Sequence, residues 1–288
     1  MAPARQTLWS GREHWRHGPI DLVIEAWGEP AAVAQAKSAA WDRFQQVLGE
    51  LVEELAALRA PVSTRCSVLG AVARRMMAAC AAHAPEFITP MAAVAGSVAD
   101  EIIGYFARPG VTRAFVNNGG DIAIFLAAGE ALRIGIVSHA YRPGVDGAVT
   151  LSAHGPVRGI ATSGWRGRSF SLGIADSVTV LAATAATADA AATMIANAVN
   201  ANHPAIRRLP ACDLKDDSDL GHRLVTVEVG VLPDRLVASA LDRGVAVAES
   251  LLARGLIVGV ALALQQQWRN VDASGLALPH QPAAKLAA

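Results

Sequence analysis

From Ser177 to Val199 the chain carries one charged residue, Asp189, in a run built mostly from Ala, Val, Thr, Leu, Met and Ile. A membrane-spanning helix needs about 20 mostly apolar residues, and an acid in its middle is expensive. The run therefore reads as a strand, Ser177 to Ala183, followed by a buried helix, Thr187 to Asn200. Burying a carboxylate without a partner is costly, so Asp189 must have one.

Composition supports a folded, water-soluble chain. Hydrophobic residues make up 52% and charged residues 17% of 288 residues, far from the signature of disorder. The mean hydropathy of +0.32 owes much to alanine. Lys+Arg 25 balance Asp+Glu 25, and no basic run is present, so nucleic acid is not an expected partner. Residues Met1 to Gly18 lack the apolar core of a secretory signal. Cys66, Cys80 and Cys212 are isolated in sequence, which argues against a disulfide framework or zinc ribbon. Each reads as a small buried hydrophobe. A cytoplasmic location is the expectation.

The N-terminal stretch turns at Ser10-Gly11 and at His17-Gly18-Pro19, which predicts two or three antiparallel strands ending near Ala26. Trp9, Trp15 and Trp27 are expected to cover a core. Pro30 opens a long helix with one apolar stripe through Val33, Ala36, Ala40, Phe44, Val47, Leu51, Leu55 and Leu58. Glu50, Glu53 and Glu54 fall on its solvated side, and Ala60-Pro61 ends it. A second helix is expected over Ser67 to Ala82. Thr89 and Pro90 read as N-cap and first residue of a third, whose small residues Ala92, Ala95, Gly96 and Ala99 invite close packing. Short strands follow at Ala114 to Asn117, Ile122 to Leu126, Leu132 to Val137 and Gly159 to Thr162. Val225 to Val229 and Leu256 to Leu264 are further strands, flanking a helix over Asp234 to Arg254. The fold class is α+β, with mixed, mostly antiparallel sheets and packed helices. Residues 1–270 read as one unit, with two subdomains allowed, and 271–288 as a low-complexity tail. Neither a Rossmann glycine motif nor a P-loop is present.

Three segments could carry chemistry. Asn117-Asn118-Gly119-Gly120-Asp121 lies between two apolar strands. Its glycines would let a backbone approach a ligand closely, with Asp121 as an acceptor; a plain hairpin turn explains it equally well. Thr162-Ser163-Gly164 could bind phosphate through hydroxyl and N–H groups, or be an ordinary loop. Asp189 and Thr193 are four residues apart and share a helix face. A carboxylate and a hydroxyl are hard oxygen ligands suited to Mg²⁺; a carboxylate opposite a helix dipole is the bland alternative. His203, Arg207 and Ser138-His139 are weaker candidates, and Asp216-Asp217-Ser218-Asp219 reads as a solvated loop.

Taken in order, these pieces resemble the ApbE superfamily, whose best-known members are FAD:protein FMN transferases. Phe87 to Gly96 and Ser169 to Asp176 are similar to an uncharacterised ApbE-like group. The resemblance spans roughly Trp9 to Gln265. It implies an ApbE-like fold and a flavin-nucleotide pocket using Asn117, Asn118, Gly119, Gly120, Asp121, Thr162, Ser163 and Gly164. It implies Mg²⁺ at Asp189 and Thr193, with FAD as substrate or ligand and FMN passed to a protein hydroxyl. Two positions depart from the transferase pattern. Ala95-Gly96 stands where a Lys-Gly step is expected, and the chain's lysines, Lys37, Lys215 and Lys285, lie away from every motif. Gly173-Ile174-Ala175-Asp176-Ser177 replaces His-x-x-Asp-Pro, so Asp176 is the remaining catalytic candidate. Two alternatives stand beside transfer. One is a flavin or nucleotide carrier without catalysis. The other is an enzyme for a different small molecule using His139, His203 or Arg207. The alanine-rich helices allow a homodimer.

Overall fold

The N-terminal residues alternate and turn because glycine takes positive φ at Gly11 and Gly18. They form strands β1 (Ala4–Thr7), β2 (Glu13–His17) and β3 (Ile20–Gly28). This computed structural model describes residues 2–63, 67–136 and 147–272. Pro30 then starts α1 (Pro30–Glu53), followed by α2 (Leu55–Arg59) and α3 (Ala71–Ala81). A 3₁₀ turn (Pro90–Ala93) leads into α4 (Val94–Ile103), and β4 (Val111–Asn118) and β5 (Asp121–Leu126) form a hairpin. Next come β6 (Ala131–Ile136), β7 (Gly147–Ser152), β8 (Gly159–Ser163), β9 (Ser177–Ala182) and α5 (Ala185–Ala198). The chain continues through β10 (Ile206–Pro210), α6 (Ala211–Leu214), β11 (Leu224–Val229), α7 (Asp234–Ala253), β12 (Gly259–Leu264) and β13 (Gln267–Asp272).

The chain divides into two compact units. The first holds Met1–Leu132, Leu151–Ala161 and Ala182–Ala190; the second holds Arg133–Thr150, Thr162–Leu181 and Ala191–Ala288. In the first, β1 to β5 form an antiparallel meander in sequence order, and β8 pairs with β5 through Ile122 opposite Ile160. Its core sets the apolar stripe of α1 (Ala40, Phe44, Val47) against Trp15, Leu22 and Ile24 of the sheet and Val98 and Ile102 of α4. Trp15 meets Trp41 edge-on, ring centres 5.3 Å apart, a preferred aromatic geometry. In the second unit, β12 pairs antiparallel with β9 and β13. β9 and β12 are buried along their whole length, as expected of near-continuous Val, Ala and Leu runs. No helix among the described residues is long and apolar enough to cross a membrane.

Several expectations need correction. The long helix breaks at Glu54, whose backbone leaves the helical region (φ −103, ψ 8). Glu54 is not merely solvated: its carboxylate accepts from the N–H groups of Leu69 and Gly70, the two residues just before α3. Glu50 likewise pairs with Arg43. Thr89 makes no side-chain cap, and the turn after it is 3₁₀. Trp9 is fully exposed rather than core-covering. Gln267–Asp272, read as tail in its last residues, is the edge strand β13. Cys66, Ser138-His139, Lys285 and the tail from residue 273 onward lie outside the described residues.

Candidate functional site

In the first unit the small residues of α4 admit another backbone. A Cβ on Gly96 would sit 2.3 Å from the carbonyl oxygen of Ala185, so only glycine allows this approach. Two carboxylates cross the gap. Asp100 on α4 accepts from the N–H groups of Ala185 and Ala186 at 3.0 and 2.8 Å, the first turn of α5. Asp189 on α5 accepts from the N–H of Gly96 at 2.9 Å, in the first turn of α4. Each helix thus satisfies orphan N–H groups of the other with an acid, which also complements the helix dipoles. The bland reading of Asp189 as a helix-terminus acid is right in kind, but the terminus belongs to α4, not to its own helix.

Burial pushes the Asp189 carboxyl well above the usual carboxylate range. The charge of Asp121 raises it further, and backbone donors at Gly96 and Ala95 only partly oppose this. Asp100 is raised too, mainly by burial. Asp121 follows a two-residue turn, Gly119-Gly120, both with positive φ (67° and 119°), the geometry that suits a tight hairpin. Asn117 accepts from the Gly120 N–H at 2.8 Å and fixes this turn. Asn118 is buried; its amide donates to the carbonyl of Ala95 at 3.1 Å and ties the hairpin to α4. Asn117 to Asp121 are therefore a hairpin turn that also delivers a carboxylate to the neighbourhood of Asp189. Asp100 escaped the sequence reading, although it stands one helical turn after Gly96.

The second unit gathers Thr162, Ser163, Gly164 and Asp176. Thr162 is exposed and its hydroxyl meets that of Thr179 at 2.9 Å. A Cβ on Gly164 would lie 2.5 Å from the carbonyl oxygen of Asp176. The Asp176 side chain is 7% exposed. It accepts from the Trp165 indole at 3.2 Å, the Arg166 guanidinium at 3.0 Å and the Gln265 N–H at 2.7 Å. Gln265 was not singled out from sequence. It has φ 45° and Gln266 has φ 69°, an uncommon conformation for residues other than glycine. Its side chain bonds the Leu232 N–H and the Gly230 carbonyl, holding the turn.

Gly173 is held closely against the backbone of α5. A Cβ there would stand 1.9 Å from the carbonyl oxygen of Ala196, so no side chain fits. Thr193 is half-buried on α5, one turn beyond Asp189. Of the remaining candidates, His203 accepts from the Ala205 N–H at 3.1 Å, and Arg207 pairs with Glu228 on an exposed hairpin face. Both serve local structure. Among the described residues, no three His, Cys, Asp or Glu side chains are grouped to hold a metal.

Residues 5–270 match the model of the family described as AbpE bacteria. The chain belongs to this ApbE-like family. A UPF0280 protein of Methanothermobacter thermautotrophicus is 38% identical over 152 residues, 50% of this chain and 55% of the relative. The chain spans about half the length of the curated relatives it matches. The solved ApbE protein of Thermotoga maritima is similar with a TM-score of 0.50 at 13% identity, over 94% of this chain and 96% of that one. That likeness establishes the α+β ApbE fold. The flavin transferase ApbE from Vibrio cholerae reaches a TM-score of 0.47 at 15% identity, over 94% of this chain and 97% of that one.

Proposed function

We propose that this chain binds FAD, or a related phosphorylated ligand, together with a divalent metal for which Mg²⁺ is the best match. The observation that supports this reading is Asp189, the one charge of its long apolar run, whose carboxylate meets the Gly96 N–H at 2.9 Å and is raised by burial and by the charge of Asp121. Two neighbouring carboxylates repel each other, and a cation relieves them. The donor set suits the ion. The hydrogen bond from Gly96 uses one of about four lone-pair sites of a carboxylate. Thr193 adds a hydroxyl, and Mg²⁺ characteristically takes one or two carboxylates and leaves its other positions to water and phosphate. When bound, such an ion neutralises phosphate charge.

The rest of the work falls to the chain's own residues. The turn Asn117 to Asp121 offers backbone without side-chain bulk, and Thr162, Ser163 and Gly164 offer hydroxyl and N–H donors. Asp176 already holds three donors, which favours its positioning Trp165 and Arg166 over acting as a free base. Passage of FMN to a protein hydroxyl is the transferase form of this reading. Binding without transfer is the second form, favoured by the closed space at Gly173.

Calorimetry with FAD separates these outcomes. Heat of binding is expected with Mg²⁺ and not with a chelator, and Asp189→Asn should abolish it while keeping an acceptor for Gly96. No heat under any of these conditions would sink the proposal. Release of AMP from FAD in the presence of Mg²⁺ would select transfer-type chemistry; FAD recovered intact would select the carrier.

A further inference from the structure

The second unit also holds a thiol beside an imidazole. β10 and β11 run antiparallel, ending with Pro210 opposite Leu224. Two backbone bonds extend their pairing: the Ala211 N–H donates to the Arg223 carbonyl and the Cys212 N–H to the Gly221 carbonyl, both at 2.9 Å. This fixes Cys212 next to His222. The Cys212 Sγ lies 3.3 Å from Nδ1 of His222 and 3.7 Å from the Asp213 carboxylate. Cys212 is half-buried and His222 exposed, so the pair is open to reagents. Cys80 is the contrast. It is buried, its thiol donates to the Thr89 carbonyl, and burial followed by the charge of Asp189 pushes its pKa up. Such a thiol is inert, whereas one that is exposed beside a base is the reactive kind. The isolated sequence position of Cys212 concealed the pairing.

We propose that Cys212 is a thiol-modification site, with His222 as its base, and that it takes small cationic disulfides in preference to anionic ones. Nδ1 of His222 takes the Cys212 proton as Sγ attacks one sulfur of the disulfide. A new S–S bond forms to Cys212 and the original S–S bond breaks. The departing thiolate takes the proton from His222 and leaves as a thiol. Cys212 is oxidised and the departing sulfur reduced, so no further oxidant is required. Selectivity comes from the loop, which carries Asp213, Asp216, Asp217 and Asp219 against Lys215 and Arg223. That excess of negative charge concentrates cations and repels anions.

The test treats the full chain, without denaturant, with cystamine or with oxidised glutathione, and locates mixed disulfides by peptide mass spectrometry. Cys212 is expected to react while Cys80 stays unmodified. Cystamine is expected to be faster at low salt, with the difference shrinking at 1 M salt, where screening acts within about 3 Å. His222→Asn is expected to slow Cys212 by at least about tenfold. An unchanged rate in His222→Asn would overturn the role of the base, and faster reaction with oxidised glutathione would overturn the charge selectivity. A second measurement needs no variant. Neutral iodoacetamide is expected to alkylate native Cys212 several-fold faster than the same cysteine in urea, where it no longer stands beside His222. Equal rates would also overturn the proposal.

Discussion

Glu13 has a side chain only 8% exposed, yet it stays charged because three side chains hold it. Arg5 donates at 2.7 Å and 3.0 Å, the Trp15 indole donates at 2.8 Å, and Lys37 stands at 3.2 Å. Burial alone would raise its pKa; the bonds from Arg5 and Trp15 and the charge of Lys37 outweigh it, and the pKa is lowered. A carboxyl lowered on folding adds stability above its unfolded pKa and loses it as pH falls through the folded value. Glu13→Gln should therefore cost about 2 kcal/mol at pH 7, with the difference from the parent closing below about pH 4. Denaturant melts across pH would show this, and a difference independent of pH would refute it. Asp189 has the opposite sign. Its raised pKa means that stability is full below the unfolded pKa and lost as pH rises through the folded one. In chelator, Asp189→Asn should be at least as stable as the parent at pH 7, with its advantage fading toward about pH 4. Thermal melts of both proteins at several pH values measure it.

Among elements, the contact of α4 with the start of α5 depends on Gly96, and the segment before β9 depends on Gly173. A Cβ at either would strike backbone, which cannot swing aside as a side-chain tip can. Gly96→Ala and Gly173→Ala should each destabilise by about 3 kcal/mol or more. Gly49, inside α1 with nothing within 4 Å of a built Cβ, is the control: Gly49→Ala should stabilise by roughly 0.5–1 kcal/mol. Urea titrations of the three variants test the set; a stable Gly173→Ala protein would reopen the question of a histidine there. The apolar stripe of α1 was legible because a 3.6-residue period repeats over many turns. The break at Glu54 was not, since its carboxylate bonds the residues just before α3 and no local signal announces a partner 15 residues on.

For the whole molecule, a ligand that binds only the native state at about 100 times its Kd adds about 2.7 kcal/mol. FAD with Mg²⁺ should therefore raise Tm by roughly 5 °C or more in a chain of this size, and FAD with chelator should not; a scan showing equal shifts would remove the metal from the proposal. Most strands, most helices and the mostly antiparallel α+β class followed from sequence, because periodicity, glycine turns and proline starts act over neighbouring residues; β7, β10 and β13 did not. So did the singling out of Asp189, the one charge in a long apolar run. What Asp189 touches was decided only in three dimensions. Its partners come from Gly96 and Asp121, which lie far from it along the chain, and burial together with a second carboxylate sets its pKa. The closed space at Gly173 and the meeting of Cys212 with His222 have the same origin: backbone approach and strand register bring distant residues within a few ångströms, and no pattern in the sequence records those distances.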